Sequence, residues 1–326
     1  MSAASAATVR STLRRRAPEL AAWVLATALF IVAVSRAPGF LAEGTLNGVF
    51  LSITLVGLAA LGQTLVVIGG GIDLSVPWLI TAGALGLTLA APEGPVATAV
   101  VAVALLAGGV IVGAGSGFMV TVLGVPAIIA TLAMGGIVQG VLLTAQTQSA
   151  AGSLQTPQAM IDLVDARIGP VPIATVGLII LAVVVGLVLK RTRFGRRLLA
   201  TGRNERVAEL AGIDVRRVRI VGYAISGASA VAVGLLAAGF IRQAYASIGS
   251  PYLFTSIAAV AIGGVALAGG RGSFWGVLGG ASALTLLEAV LPMFDLSQAQ
   301  LQIVYGLVIL LGLAVARFAE RAPTRT

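Results

Sequence analysis

Apolar residues recur along the chain in long runs separated by short polar breaks, and the length of the runs suits a membrane better than a globule. A helix needs roughly 20 apolar residues to cross about 30 Å of hydrocarbon. Ten runs come near that length: 20–35, 46–68, 78–91, 96–112, 126–145, 171–189, 218–241, 257–267, 274–291 and 301–316. The third, fourth and eighth are short and interrupted by glycine, so each reads either as a full crossing or as a half-helix or re-entrant piece. The pattern predicts an all-α, polytopic membrane bundle of about ten helices, with short or broken helices near its centre. One unit accounts for the whole: a basic N-terminal segment 1–19, a membrane domain 20–316 carrying a polar loop at 190–217, and a tail 317–326.

Composition agrees with the pattern. With 58% hydrophobic and 10% charged residues among 326 and a mean hydropathy of +1.04, there is too little polar surface to cover a soluble globule. The net charge of +9 invites a nucleic-acid partner until its placement is considered. Aromatic residues make up 5%, and the basic residues lie between apolar runs rather than beside stacking side chains, so nucleic acid is excluded as a partner. Lys and Arg gather instead where cytoplasmic loops are expected. Arg10, Arg14, Arg15 and Arg16 precede the first run, ten basic residues fill 190–219, and Arg317, Arg321 and Arg325 follow the last. Six runs before that island and four after it put both termini and the island on one side, inside. The N-terminus also fits a signal peptide, but its apolar run is long for that role and its removal would break the parity, so an uncleaved first span is expected. The segment 150–170, with Asp162, Asp165 and Arg167 among prolines, reads as an external loop bearing a short surface helix.

The island has internal punctuation. Asn204 is a good N-cap, Glu205 adds negative charge to a first turn, and Gly212 sits where a left-handed residue would end a helix. A helix over 205–211 is about two turns, roughly 10 Å long, with Val207, Leu210 and Ala211 on one apolar face. Such a helix does not hold alone in water. It either folds back on its own bundle or docks on a soluble partner.

Chemistry on the chain itself is sparse. There is no Cys and no His, which removes disulfides, thiol catalysis, haem and the usual zinc sites, and no catalytic set is visible. The single lysine, Lys190, is followed by Arg191, so no phosphate-binding loop with Lys before Ser or Thr exists, and ATP chemistry belongs to another polypeptide. No cofactor is expected on this chain. Ion-driven transport would leave acidic groups in the spans, and the candidates are Asp73 and Glu288.

In "GGGIDLSVPW" Ser75 is the expected N-cap, since Pro77 then falls at the second helical position, where its missing N–H costs little. A helix dipole helps a nearby anion by about 0.3–1 kcal/mol against a cost of about 2.5–3.5 kcal/mol at mid-bilayer. Asp73 must therefore face water, a partner donor or the interface, either as a structural cap or as a lining of the route. "GAGSGF" at 113–118 and "GGASAL" at 279–284 have no strand before them and read as close helix packing. Asn47, Gln63, Thr131 and Gln139, with Asp73 and Ser75, are the candidates to line a solute's path; uncharged donors and acceptors suit hydroxyls, and equally well a neighbouring helix.

Three stretches carry a family resemblance: "GGIDLSV" (70–76), "TRFGRRLLATGRNERVAELAGI" (192–213) and "SIAAVAIGGVALAGGRGSFWG" (256–276). The chain resembles the permease subunits of bacterial ABC importers for sugars of the ribose, xylose and galactose type. The resemblance implies a multi-pass protein of the inner membrane, paired with a second permease copy that is identical or a close paralogue. It further implies a cytoplasmic ATPase subunit binding ATP and Mg, an external solute-binding protein, and alternating access as the mechanism. By position, Gly195, Arg196, Ala200, Gly202, Asn204, Ala208, Gly212 and Ile213 would form the ATPase-coupling segment, together with Glu205, Val207 and Leu210 of the short helix. The chain departs from the pattern at Pro77, where the family more often has Gly, and at Tyr252, Leu253, Phe254 and Thr255, where an acidic residue is common. Nucleoside and branched-chain amino acid permeases share the layout, and an ion-coupled secondary carrier stays open as an alternative.

Overall fold

The computed structural model describes residues 3–148, 155–294 and isolated positions between 297 and 310. Twelve α-helices are found there: α1 (Ala3–Arg36), α2 (Glu43–Ile68), α3 (Val76–Ala90), α4 (Gly94–Thr121), α5 (Ala127–Gln148), α6 (Gln158–Asp165), α7 (Ile173–Arg191), α8 (Arg193–Arg203), α9 (Glu205–Leu210), α10 (Val215–Ile241), α11 (Tyr252–Ile262) and α12 (Phe274–Val290). A hairpin of β1 (Arg167–Ile168) and β2 (Val171–Pro172) precedes α7. Among the described residues, seven helical segments are long and apolar enough to cross a membrane, and α3 and α11 are shorter apolar helices. The protein is an all-α polytopic membrane bundle, and each of the first nine expected spans meets a helix. The tenth, 301–316, and the tail 317–326 lie outside the described residues, apart from isolated helical positions between 303 and 310.

The third and eighth runs are short, as expected, with 15 residues in α3 and 11 in α11. The fourth is not. α4 runs unbroken for 28 residues, because its glycines form a face rather than a break. A Cβ on Gly109, Gly113 or Gly117 would strike Gly227, Tyr223 or Ile220 of α10, respectively. Small residues four apart let the two backbones close on each other, which is how helices associate where lipid offers no hydrophobic gain. Gly113 and Gly117, and Gly279 and Gly280 against Trp23 and Ala259, bear out close packing in both glycine-rich stretches.

α10 is the hub, packed against α2, α3 and α4. Gly62 of α2 lies under Ser226 and Ser229, Gly83 of α3 meets the Val231 carbonyl, and Gly234 meets the Ile80 carbonyl. The apolar window of α2 is 89% buried, against 17% for α1 and α4; α2 is interior, and the others turn Val96, Val100, Val103 and their like outward to the lipid.

Two long helices are each followed by a non-helical return into the bundle and a short helix. α2 leads through 69–75 into α3, and α10 leads through 242–251 into α11. The second return meets the start of α3: the Gly249 N–H donates to Thr81 Oγ1 at 3.3 Å, and a Cβ on Gly249 would overlap the Pro77 carbonyl. From there α11 runs toward Pro18 of α1, which packs on Gly264. α8 and α9 share that basic end with the end of α2 and the start of α10. At the other end α6 buries Met160 and Val164 against Gly239, and Arg242 pairs with Asp165 at 3.0 Å and Arg167 with Glu43 at 2.6 Å. The short surface helix expected in 150–170 is α6.

Candidate functional site

Thr192 turns the chain sharply at the end of α7. Its Oγ1 accepts the Gly195 N–H at 3.2 Å and donates to the Val188 carbonyl at 2.7 Å, capping α8. A Cβ on Gly195 would run into Val188 and Leu189, and one on Gly202 into the Ile68 carbonyl and the Gly270 N–H. The two glycines thus let α8 lie flat on the ends of α7 and α2. Leu198 and Thr201 face inward, while Arg193, Arg196 and Arg197 face out, and Ala200 accepts the Asn204 N–H. Sequence reading missed α8, since a stretch so rich in arginine looks like loop; Thr192 as a cap residue and the spacing of Phe194, Leu198 and Thr201 among the arginines were the signals present.

α9 forms as its caps predict. Asn204 Oδ1 accepts the Val207 N–H at 3.1 Å. At the other end Ile213 N–H reaches the Ala208 carbonyl and Gly212 N–H the Glu209 carbonyl, with Gly212 at φ +77°, the paired bonds of a Schellman ending. Ala211 is the C-cap, one residue shorter than expected. The expected apolar face exists and is uncovered: Val207 is 60% and Leu210 83% exposed. Ala208 is 3% exposed and packs inward, on the side of α9 away from Val207 and Leu210.

Beneath α9 lies the loop 69–75, held by one stripe of α10. Arg219 Nη1 pairs with Glu205 Oε1 at 2.8 Å, and its Nε donates to the Gly69 carbonyl at 2.9 Å. Tyr223 Oη donates to the Ile72 carbonyl at 3.2 Å and Ser226 Oγ to Asp73 Oδ2 at 2.7 Å. These three residues sit at i, i+4 and i+7, one helical face. Asp73 Oδ1 takes the Ser75 N–H at 3.0 Å and the Ser75 hydroxyl at 2.6 Å. Asp73 is fully buried and meets partner donors, as its burial requires. Ser75 occupies the cap position of α3 with Pro77 second, but its hydroxyl bonds Asp73 and does not cap. Thr131 Oγ1 accepts the Leu74 N–H at 3.1 Å, tying α5 to the same loop.

Asp73, Ser75 and Thr131 are therefore brought together, and Asn47, Gln63 and Gln139 are not part of that cluster. Asn47 and Gln63 stand sixteen residues apart on α2, about 24 Å by helical rise. Gln63 is fully buried with neither amide atom bonded, and Asn47 Oδ1 is likewise unmet. Gln139 is half-buried on α5. Arg219, Tyr223 and Ser226 escaped sequence reading, although three polar residues at helical spacing in an apolar span were there to see. A cavity of about 230 Å³ opens beside this loop, walled by Gly69, Gly70, Gly71, Glu205, Arg219 and Tyr223 on one side and Val125, Pro126 and Ala127 on the other.

A two-turn helix presenting bare apolar residues to water, fastened to a loop that enters the bundle, suits a subunit moved by another protein. Known proteins agree. The family described as Branched-chain amino acid transport system / permease component matches residues 45–313. The ribose import permease protein RbsC of Escherichia coli K12 is 34% identical over 294 residues, covering 88% of this chain and 90% of the relative. The autoinducer 2 import system permease protein LsrC of Klebsiella pneumoniae is 34% identical over 307 residues, 93% and 86% of the two chains. RbsC of Bacillus subtilis is 29% identical over 293 residues, 89% of each. No solved structure matches. One component of a transport system, rather than a self-sufficient ion-coupled carrier, is what these relatives are, and this chain belongs to the family of branched-chain amino acid transport system permease components, on its ABC sugar-importer side.

Proposed function

We propose that the chain forms the translocation path for a small polyhydroxylated solute of the ribose class, delivered by an external solute-binding protein and driven by a cytoplasmic ATPase subunit that binds ATP and Mg. The observation that carries this reading is the uncovered face of α9, Val207 and Leu210, on a helix too short to stand alone. A ring of exposed arginines, Arg193, Arg196, Arg197 and Arg206, frames it for an acidic docking groove. Relatives named for ribose and for autoinducer 2 support a sugar-like solute.

The solute's route runs where the starts of α3 and α11 meet. A permease of this kind binds its solute weakly with neutral donors and acceptors, the part assigned to Asn47, Gln63, Thr131 and Gln139; Asp73 and Ser75 shape the loop at the route's inner edge. A second permease copy, the same chain or a close paralogue, completes the path, and both termini lie in the cytoplasm. ATP closes the paired ATPase subunits, α9 moves with them, and the bundle opens alternately to each side.

The test is Leu210→Asp, which places a carboxylate on the exposed face while touching nothing inside. The cognate ATPase should no longer co-purify and ATP-driven ribose uptake into vesicles should fall to background, with the permease still inserted. Undiminished co-purification and uptake would remove the docking role of α9.

A further inference from the structure

We infer that Arg219 is a positioning residue that passes the movement of α9 to the buried loop 69–75, and so to the start of α3. The inference rests on α9 being the driven element and adds the link between that element and the route.

One guanidinium holds two things that would otherwise be independent. Its Nη1 grips Glu205 in the first turn of α9 at 2.8 Å, and its Nε grips the carbonyl of Gly69, the first residue past α2, at 2.9 Å. Only Arg presents separate donors in a fixed fork suited to two acceptors at once. The same helical face then continues the grip inward: Tyr223 on Ile72 and Ser226 on Asp73. A residue of the loop is thus held at each step from the water-facing helix to the fully buried carboxylate. The Arg219 side chain is 15% exposed against 50% for Glu205, so the pair ties a largely buried cation to a carboxylate at the surface, and its value lies in what it joins.

The loop has the freedom to respond. Gly70 takes φ +83° beside the Arg219 side chain, and Gly71 lies so close to the Tyr223 hydroxyl that a Cβ would overlap it. The cavity of about 230 Å³ borders Gly69, Gly70 and Gly71, leaving the loop unpacked on one side where a filled core would resist displacement. Asp73 closes the turn that begins α3 through Ser75, and α3 begins where Gly249 brings in the second broken segment. A shift of Glu205 therefore reaches the start of α3, where Gly249 packs, through Arg219 and the loop.

The experiment uses the full importer, permease with its ATPase and solute-binding protein, in proteoliposomes, and reads ribose moved per ATP hydrolysed. Arg219→Lys keeps a cation but has one nitrogen for two partners. It should co-purify the ATPase and hydrolyse ATP as the parent does, while transport per ATP falls about tenfold, within the usual range of coupling between two sites. Glu205→Gln, at a half-exposed position, should lower transport per ATP to the same extent. The double variant should be no worse than either single, because both cut one connection. An unchanged ratio, additive losses, or loss of ATPase binding in parallel with transport would overturn the inference. If Leu210→Asp leaves the ATPase bound, it is the docking site that has been misplaced, and the ratio for Arg219→Lys still decides whether the bridge transmits.

Discussion

Gly202 and Gly136 show how differently one residue type is used along this chain. A methyl group on Gly202 would need the space of the Ile68 carbonyl and the Gly270 N–H, whereas one on Gly136 of α5 meets nothing within 4 Å. Gly202→Ala should lower stability by about 1–3 kcal/mol, the usual cost of overpacking, and Gly136→Ala should fall within about 0.5 kcal/mol of the parent, as surface changes do. Thermal unfolding in detergent reads both; equal melting temperatures would show that α8 does not rest on α2 as described. The sequence marks Gly195, Gly202 and Gly212 as motif positions. Its reasons are legible only for Gly212, whose left-handed φ closes a local cap. Gly195 and Gly202 are small because of Leu189, Ile68 and Gly270, and the last two are far away in sequence. Asn204 and Glu205 were readable for the same reason as Gly212: a cap involves neighbours along the chain.

Elements were legible where length and period decided them and misjudged where glycine or arginine did. Glycine in a water-exposed helix costs about 1 kcal/mol relative to alanine, which is why Gly108 and Gly109 looked like an interruption of the fourth run. In hydrocarbon no water waits to take the freed backbone groups, so the helix continues and the glycines become the contact face with α10. α8 was overlooked for the complementary reason, its arginines lying on the outer face of a helix whose Leu198 and Thr201 are buried. The seam between α4 and α10 can be tested as an element. Gly113→Leu must push against the Tyr223 carbonyl and should destabilise the bundle by about 1–3 kcal/mol, whereas Val103→Leu on the outward stripe, 65% exposed, should be silent. A silent Gly113→Leu would mean that the two helices do not meet along Gly109, Gly113 and Gly117. Because Gly113 lies behind Tyr223, the same variant should also reduce transport per ATP more than it reduces ATPase binding.

At the scale of the whole molecule, charge separates two ends that the fold keeps apart. The basic end gathers α8, α9 and the starts of α10 and α12, and the other end gathers α6, the β-hairpin and the acidic residues Glu43, Asp162 and Asp165. The positive-inside rule assigns the first end to the cytoplasm, and docking on an ATP-fed subunit demands the same assignment. The chain has no cysteine, so a single introduced thiol is the sole target for a membrane-impermeant maleimide. Gln158→Cys on α6 and Arg216→Cys in the first turn of α10 both replace exposed side chains, and neither lies on the face proposed to meet the ATPase. In right-side-out spheroplasts Gln158→Cys should label at once and Arg216→Cys only after the membrane is permeabilised; inverted vesicles should reverse the order. Labelling of Arg216→Cys from outside would put Glu205, Arg219 and the bare face of α9 on the side without ATP. Both the docking surface and the bridge beneath it would then lose the motion they are built to receive.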